Sequence, residues 1–207
     1  MPAHSKPASQ PEPAGSGQPA RVRRLGRAER REQILAAATQ AFARSGFAAT
    51  SLDDIAAEAG ISRVILYRHF DSKSDLYRAV LDRVCARLVT TVGERDYTAA
   101  SVDALVSAAV EDPAGFRLLF QHAAREPEFR VEADRFHAGM VAVAHRELAR
   151  TIPDKAWVRW AAQLAPIVAI EAILAWLDAG QPDPDQAAER VRQALGGVLR
   201  AAQPPAR

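Results

Sequence analysis

The stretch "TSLDDIAAEAGISRVILYRHFDSKSD", residues 50–75, decides the fold. Thr50 or Ser51 can cap a helix at its start. An aspartate in the first turn, Asp53 or Asp54, can in return accept a hydrogen bond from the N–H of the capping residue. Gly60 is expected to end that helix after about two turns, because glycine readily adopts the left-handed conformation that follows a helix. The pattern therefore predicts two short helices that are joined by a tight turn.

The second short helix is predicted to begin at Ser62 and to bury one face. Leu66 and Phe70 are four residues apart, so they lie on the same side of a helix and are assigned to the core. Rotation by about 100° per residue then directs Val64 and Arg68 away from the core. The sequence thus places an apolar side chain on the outer surface of a short basic helix.

An outward valine beside an arginine suits the major groove of DNA. The methyl groups of Val64 can meet the methyl group of thymine, and Arg63 in the first turn can reach guanine O6 and N7. Scattered apolar side chains are also normal on protein surfaces, so Val64 alone leaves both readings open. The complete unit of basic arm, short helix, glycine turn and basic helix predicts a helix-turn-helix that binds DNA.

Composition and charge limit the class of protein. The 207 residues are 48% hydrophobic and 25% charged, with a net charge of +2. Residues 21–92 carry a net charge of +5 and residues 93–207 a net charge of −3, so the first part is the candidate for binding a polyanion. No apolar run suggests a membrane span and the N-terminus lacks a secretory signal, so a cytoplasmic location without membrane association is expected.

The flanking sequence suggests the domain organisation. Residues 1–20 are rich in Pro, Ser, Gly and Ala and are predicted to form a disordered tail. The basic arm "RVRRLGRAERR" follows and includes Arg23 and Arg24. The predicted regions are the tail at 1–20, a DNA-binding domain at 21–92 (core 27–87, helix-turn-helix about 50–70) and a C-terminal domain at 93–207.

The second half is also predicted to be helical. Its breakers, which include Asp112-Pro113 and Ile152-Pro153, delimit about five helices, and no alternating strand pattern is present. The segment 157–177 is nearly all apolar, and 183–201 carries a single apolar stripe, so both are expected to be covered by core and partner. The predicted fold class is all-α, with an N-terminal three-helix helix-turn-helix domain and a C-terminal helical domain.

Residues 30–84 resemble the N-terminal domain of the TetR family of bacterial transcriptional repressors. The resemblance rests on Thr50-Ser51, Ala59-Gly60 and the ending Leu66-Tyr67-x-His69-Phe70-x-Ser72-Lys73. It implies that side chains near the helix-turn-helix hold phosphates while Arg63 and Val64 approach bases, and that Lys73→Ala weakens binding to all sequences similarly. Residues 64 and 65 depart from the commoner pattern. The predicted DNA-contacting residues are Arg23, Arg24, Thr50, Ser51, Arg63, Val64, Tyr67, Arg68, His69 and Lys73.

The resemblance also implies a role for the second half. It implies a homodimer formed through about 157–177 and 183–201, a palindromic double-stranded DNA operator, and a cavity for a small apolar or amphipathic effector that releases a repressor. Glu171 is a candidate for the cavity, but solvent or the dimer interface is the favoured location for its carboxylate. The candidate cavity residues are Phe116, Phe120, His122, Phe136, Met140, Trp157, Trp160 and Glu171, each of which could instead be ordinary core.

Other functions are considered alongside this one. His137 and Asp134 share a helix face, but no third ligand has usable spacing, and no nucleophile motif or glycine-rich phosphate loop is present. The sequence therefore predicts no catalytic residue, no metal and no cofactor. Cys85 is taken as an ordinary helix residue rather than a redox sensor. The alternative that stays open is a related DNA-binding protein that is controlled by a protein partner or that has no small-molecule effector.

Overall fold

The N-terminal helices build a helix-turn-helix unit on a long first helix. The computed structural model describes residues 26–92 and 99–204, and all regular structure within those ranges is helical, which confirms the predicted all-α class. Basic residues 23 and 24 and the tail at 1–20 lie outside the described residues. The first four helices are α1 (Arg27–Ala49), α2 (Leu52–Glu58), α3 (Arg63–Tyr67) and α4 (Lys73–Val92).

Two glycines set the geometry of this unit. Gly46 has φ of 74° and interrupts the helical conformation near the end of α1. Gly60 has φ of 63° after α2, where its N–H bonds the carbonyl of Ala57 and the N–H of Ile61 bonds the carbonyl of Ala56. This bonding is typical of a helix that ends at a left-handed glycine, as the sequence predicted.

Side-chain caps fix where α2 and α4 begin. The hydroxyl of Ser51 accepts from the N–H of Asp54 at 3.1 Å, and Asp54 accepts from the N–H of Ser51 at 2.9 Å, which forms a capping box. Ser72 accepts from the N–H of Asp75 at 3.0 Å at the start of α4. Ser62 precedes α3 as predicted, but its side chain makes no capping hydrogen bond, so α3 relies on packing.

The remaining helices form the C-terminal half. Asp112 caps α6 by accepting from the N–H of Gly115, and Pro113 occupies its first turn, as expected from the Asp-Pro pair. The chain then continues through a π-helical turn, Leu118–His122, and a 3₁₀ turn, Ala123–Arg125. The α-helices of this half are α5 (Ala99–Glu111), α6 (Pro113–Arg117), α7 (Arg130–Leu148), α8 (Lys155–Asp178) and α9 (Ala187–Ala201), with a 3₁₀ turn at Pro184–Gln186.

One buried cluster runs through both halves of the described chain. At its centre four aromatic rings join α1 and α4 to the start of α7. The ring centroid of Tyr77 lies 4.8 Å from that of Phe42 and 4.3 Å from that of Phe129, and Phe47 lies 4.9 Å from Phe129. Phe42, Tyr77 and Phe129 are fully buried. We call these four rings the aromatic cluster; it fixes the position of α7 against the N-terminal helices.

Ion pairs hold α4 against α1. Glu32 of α1 accepts from Arg83 at 2.6 Å and from Arg87 at 3.0 Å. Arg87 also lies 3.9 Å from Asp112, at the start of α6. Helix α4 is thus linked by charge to the DNA-binding half on one side and to the C-terminal half on the other.

Helix α8 is the longest helix of the C-terminal half. By length and composition it is the one helix of the described residues that could cross a membrane, but more than half of its most apolar stretch is buried inside the fold. Ala161, Ala165 and Ile173 lie on its buried side, where it packs on α7 and α9. This agrees with the expectation that one side of 157–177 is covered by the core, and the cover of its other side by a partner stays a prediction.

Candidate nucleic-acid interface

The short helix α3 has one buried and one outward face. Leu66 is fully buried and Phe70, just beyond the helix, is 5% exposed. On the other side the exposed fraction is 64% for Val64 and 43% for Tyr67, and Arg68 is also exposed. The rotation predicted from sequence is therefore confirmed, and a row of apolar and cationic side chains is free to enter a groove.

Arg63 does not extend freely from this face. Its Nη1 donates to Oδ2 of Asp53 at 2.9 Å, and its Nη2 donates to the hydroxyl of Tyr67 at 3.2 Å. The guanidinium carbon also lies 5.5 Å from the ring centroid of Tyr67. The hydrogen bond to Tyr67 and the charge of Asp53 raise the pKa of Arg63, which stays cationic. Asp53 was expected only as a helix cap and is a functional candidate that sequence reasoning missed.

A basic patch surrounds His69. The pKa of His69 is lowered, first by burial and then by the positive charges of Arg27, Arg31 and Arg30 on α1. At neutral pH His69 is thus uncharged and can offer a phosphate an N–H, while the three arginines supply the positive charge. These arginines recur at i, i+3 and i+4 on one helix face, which is the signal that could have identified them from sequence.

Two of the predicted DNA-contacting side chains are engaged within the fold. Thr50 is 3% exposed, and its hydroxyl donates to the carbonyl of Gly46 at 2.7 Å. The Nζ of Lys73 donates to the carbonyls of Phe47 at 2.8 Å and Thr50 at 3.1 Å, and it lies 4.4 Å from the ring centroid of Phe47. Both side chains donate hydrogen bonds to backbone carbonyl groups near the end of α1. The Thr50 hydroxyl is therefore buried and engaged within the fold, and Lys73 supports the end of α1, while contact of either residue with DNA stays a prediction.

We therefore expect Lys73→Met to act mainly on stability. Loss of hydrogen bonds from a charged donor to the terminal carbonyls of α1 should lower the free energy of unfolding by about 1–2 kcal/mol and the melting temperature by about 3–8 °C. Lys155→Met, at an exposed position on α8, is the matched control. An unchanged melting temperature together with weaker binding to every duplex would instead support a direct phosphate contact.

Some of the predicted effector residues lie near a cavity. Phe116 lines a cavity of about 360 Å³ between α4, α5 and α6, together with Val84, Leu88 and Ala108. Arg87, Glu111 and Asp112 are also in its lining. Three other predicted residues are partly buried and pack on the main core: Phe120, Phe136 and Met140. The ring centroid of Phe120 lies 4.7 Å from that of Phe116.

The other predicted effector residues lie elsewhere. Trp157 and Trp160 are 47% and 40% exposed on α8, where their rings pair with each other, and Glu171 is exposed on the same helix. These side chains face outward and do not line the cavity between α4, α5 and α6, and the exposure of Glu171 agrees with the solvated or interface position that the sequence favoured for it. His122 faces the N-terminal half, since a methyl group on Gly46 would lie 3.7 Å from its Nδ1.

Cys85 is consistent with a structural role. It lies on α4, partly buried against the core. Burial is the main cause that raises its pKa to about 11, and Asp82 adds to the effect. The thiolate that oxidants attack is therefore scarce at neutral pH, which agrees with the expectation of an ordinary helix residue.

The fold and the outward face of α3 define a helix-turn-helix protein. Residues 34–80 match the family of bacterial regulatory proteins, tetR family. A crystal structure of a TetR-like transcriptional regulator from Rhodococcus sp. RHA1 has the same fold, with a TM-score of 0.73 and 22% identity over 86% of this chain and 99% of that one. The chain is therefore similar to this family over the residues of its helix-turn-helix half. The family matched over these residues is one of regulatory proteins rather than enzymes, in line with the expectation of no catalytic residue.

The curated relatives include both a transcriptional activator and a transcriptional repressor. The chain is 41% identical over 118 residues to the HTH-type transcriptional activator FasR from Mycolicibacterium smegmatis, which covers 53% of each chain. It is 41% identical over 56 residues to the HTH-type transcriptional repressor BepR from Brucella suis, which covers 27% of each. The chain thus matches about half the length of the first relative and about a quarter of the second.

Proposed function

We propose that the protein is a cytoplasmic transcriptional regulator that binds duplex DNA sequence-specifically through α3. The observation that carries this is the outward face of α3, with Val64 exposed while Leu66 beneath it is fully buried. The basic patch around His69 and the +5 charge of residues 21–92 supply the attraction for phosphates. The match of residues 34–80 to the tetR family supports the same conclusion.

The test is selection of binding sites from a random duplex library, followed by titration of the selected duplex at several salt concentrations. We expect a palindromic sequence and an affinity that falls steeply with salt, because phosphate neutralisation releases counterions. Binding that shows no sequence preference, or no binding at low salt, would contradict the proposal.

We propose that the regulator acts as a homodimer through α8 and α9. The exposed side of α8 carries large apolar side chains, with Ile167 45% exposed between the tryptophan pair and Glu171. On α9 the exposed side carries Ala194 and Gly197, and nothing lies within 4 Å of a methyl group placed on Gly197. Bulky apolar groups on one helix and small residues on its neighbour suit close packing against a second copy. A two-fold dimer would place two α3 helices about 34–36 Å apart.

Ile167→Arg is expected to break this dimer. A charge in the middle of an apolar interface is left without a partner, so the protein should sediment as a monomer at micromolar concentration and lose affinity for the palindrome. Val131→Arg is the matched control, because Val131 is 62% exposed on α7 outside this face. A variant that remains dimeric would place the interface elsewhere.

We further propose that a small apolar or amphipathic effector binds in the cavity between α4, α5 and α6 and releases a repressor. The cavity size suits a small ligand. Arg87 lines it and also pairs with Glu32 of α1, so a ligand there can change how α4 is held. Effector-induced release should appear as a ligand that raises the melting temperature and weakens operator binding, since only differential affinity shifts the population.

Activation is the second candidate mode, and the likeness to FasR over half of each chain favours it. Control by a protein partner, or without any effector, is the remaining alternative. A reporter gene behind the selected operator separates the modes. Deleting the regulator raises reporter expression if it represses and lowers expression if it activates.

A further inference from the structure

An acidic side chain lies on the face that should meet DNA. Asp53, in the first turn of α2, is 65% exposed, and its Oδ2 accepts from Nη1 of Arg63 at 2.9 Å. Tyr67 accepts from Nη2 of the same guanidinium at 3.2 Å, from the next turn of α3. Asp53 and Tyr67 thus hold Arg63 from two different helices. We call these three side chains the arginine clasp.

The clasp contributes little to folding. Arg63 is 54% exposed, and ion pairs between exposed side chains typically stabilise a fold by about 0–1 kcal/mol. At the same time a carboxylate on this face repels the phosphates of any duplex. A side chain that adds little stability and opposes every DNA sequence is expected to have another role.

Restraint of Arg63 provides such a role. A free arginine side chain carries about 2 kcal/mol of rotamer entropy, which it loses when it binds a base edge. Two hydrogen bonds and the neighbouring ring restrict that freedom before DNA arrives, so less is lost on binding. The negative charge of Asp53 meanwhile weakens binding to sequences that offer Arg63 no base acceptor.

We infer that Asp53 is a specificity-determining positioning residue, which orients Arg63 for one base pair and disfavours binding to all other sequences. The inference rests on the proposed DNA binding by α3. This role of Asp53 has a different experimental consequence from that of a contact that only inhibits DNA binding. If Asp53 only competed with the base, its removal would strengthen binding to the selected and the non-selected duplex by a similar factor.

The experiment measures a ratio of affinities. Wild type, Asp53→Asn and Asp53→Ala are titrated with the selected duplex and with one altered at the base pair that Arg63 reads, which is located by the preference lost in Arg63→Ala. For both Asp53 variants we expect binding to the altered duplex to strengthen several-fold, while the selected duplex gains little. The ratio should fall by about three- to tenfold, as loss of one charge and one orienting contact would give.

Glu58→Gln is the matched control, because it removes a negative charge from the same helix as Asp53. Glu58 pairs with Arg44 and not with Arg63. The variant should leave the ratio unchanged. In an Arg63→Ala background, Asp53→Asn should also leave the ratio unchanged, since the partner it orients is gone. Melting temperatures check that the variants fold.

The outcomes separate the inference from the proposed function. A wild-type protein that discriminates between the duplexes, together with an unchanged ratio in both Asp53 variants, overturns the inference and leaves DNA reading by α3 intact. If Glu58→Gln changes the ratio of affinities equally, the inference is also overturned, because the loss of any negative charge in this region would then explain the effect. A wild-type protein that binds no duplex selectively overturns both.

Discussion

Arg63→Ala is expected to lower the affinity for the selected operator by about 1–3 kcal/mol, roughly 5- to 150-fold, and to relax the preference at one base pair of each half-site. Arg63 is the cation in the first turn of α3, on the surface that Val64 shares. A guanidinium can donate two hydrogen bonds to guanine O6 and N7, and a wrong base leaves those donors unpaired. Titration against a set of singly altered duplexes measures both effects.

Arg190→Ala is the control for this prediction, because Arg190 is an exposed arginine on α9 of the C-terminal half. It removes the same charge and should leave the base preference unchanged. If Arg63→Ala weakens all duplexes equally, then Arg63 contacts phosphate only, and another residue of α3 reads the sequence.

Phe129→Ala is expected to lower the free energy of unfolding by about 3–5 kcal/mol, the largest stability effect that we predict. Phe129 is fully buried in the aromatic cluster, where its ring lies 4.3 Å from Tyr77 and 4.9 Å from Phe47. Truncation leaves a cavity between α4 and the start of α7. Because that contact joins the two halves of the chain, melting should also become less cooperative. Urea unfolding and calorimetry measure the two effects.

Tyr77→Phe is the control within the same cluster. The hydroxyl of Tyr77 is buried, and no hydrogen-bond partner for it lies among the described residues, so its removal keeps the ring contacts and should change stability by no more than about 1 kcal/mol. A loss below 1 kcal/mol for Phe129→Ala would mean that the cluster relaxes and does not hold the two halves together.

Much of the DNA-binding half could be predicted from local sequence. The caps at Ser51 and Ser72, the left-handed glycines and the outward rotation of Val64 follow from short-range rules that depend on neighbouring residues only. Each of these features is present in the structure. Local rules succeed here because the helices are short and strongly marked at both ends.

Two contacts that local patterns missed join residues of different helices. Lys73 reaches the carbonyls at the end of α1, more than twenty residues earlier, and no local pattern marks that partner. Asp53 meets Arg63 only because the Gly60 turn brings α2 back against α3. The tryptophan pair was assigned to a cavity because periodicity gives an apolar helix no rule for which apolar side stays exposed.

The most direct measurement places a photoreactive side chain at Val64 and irradiates the protein on its selected duplex. Val64 is 64% exposed at the centre of the outward face of α3, and Val131, 62% exposed on α7, is the control position. The account predicts cross-links from position 64 to bases of the half-site and none from position 131. Cross-links to DNA from position 131 and none from position 64, with binding retained, would contradict it.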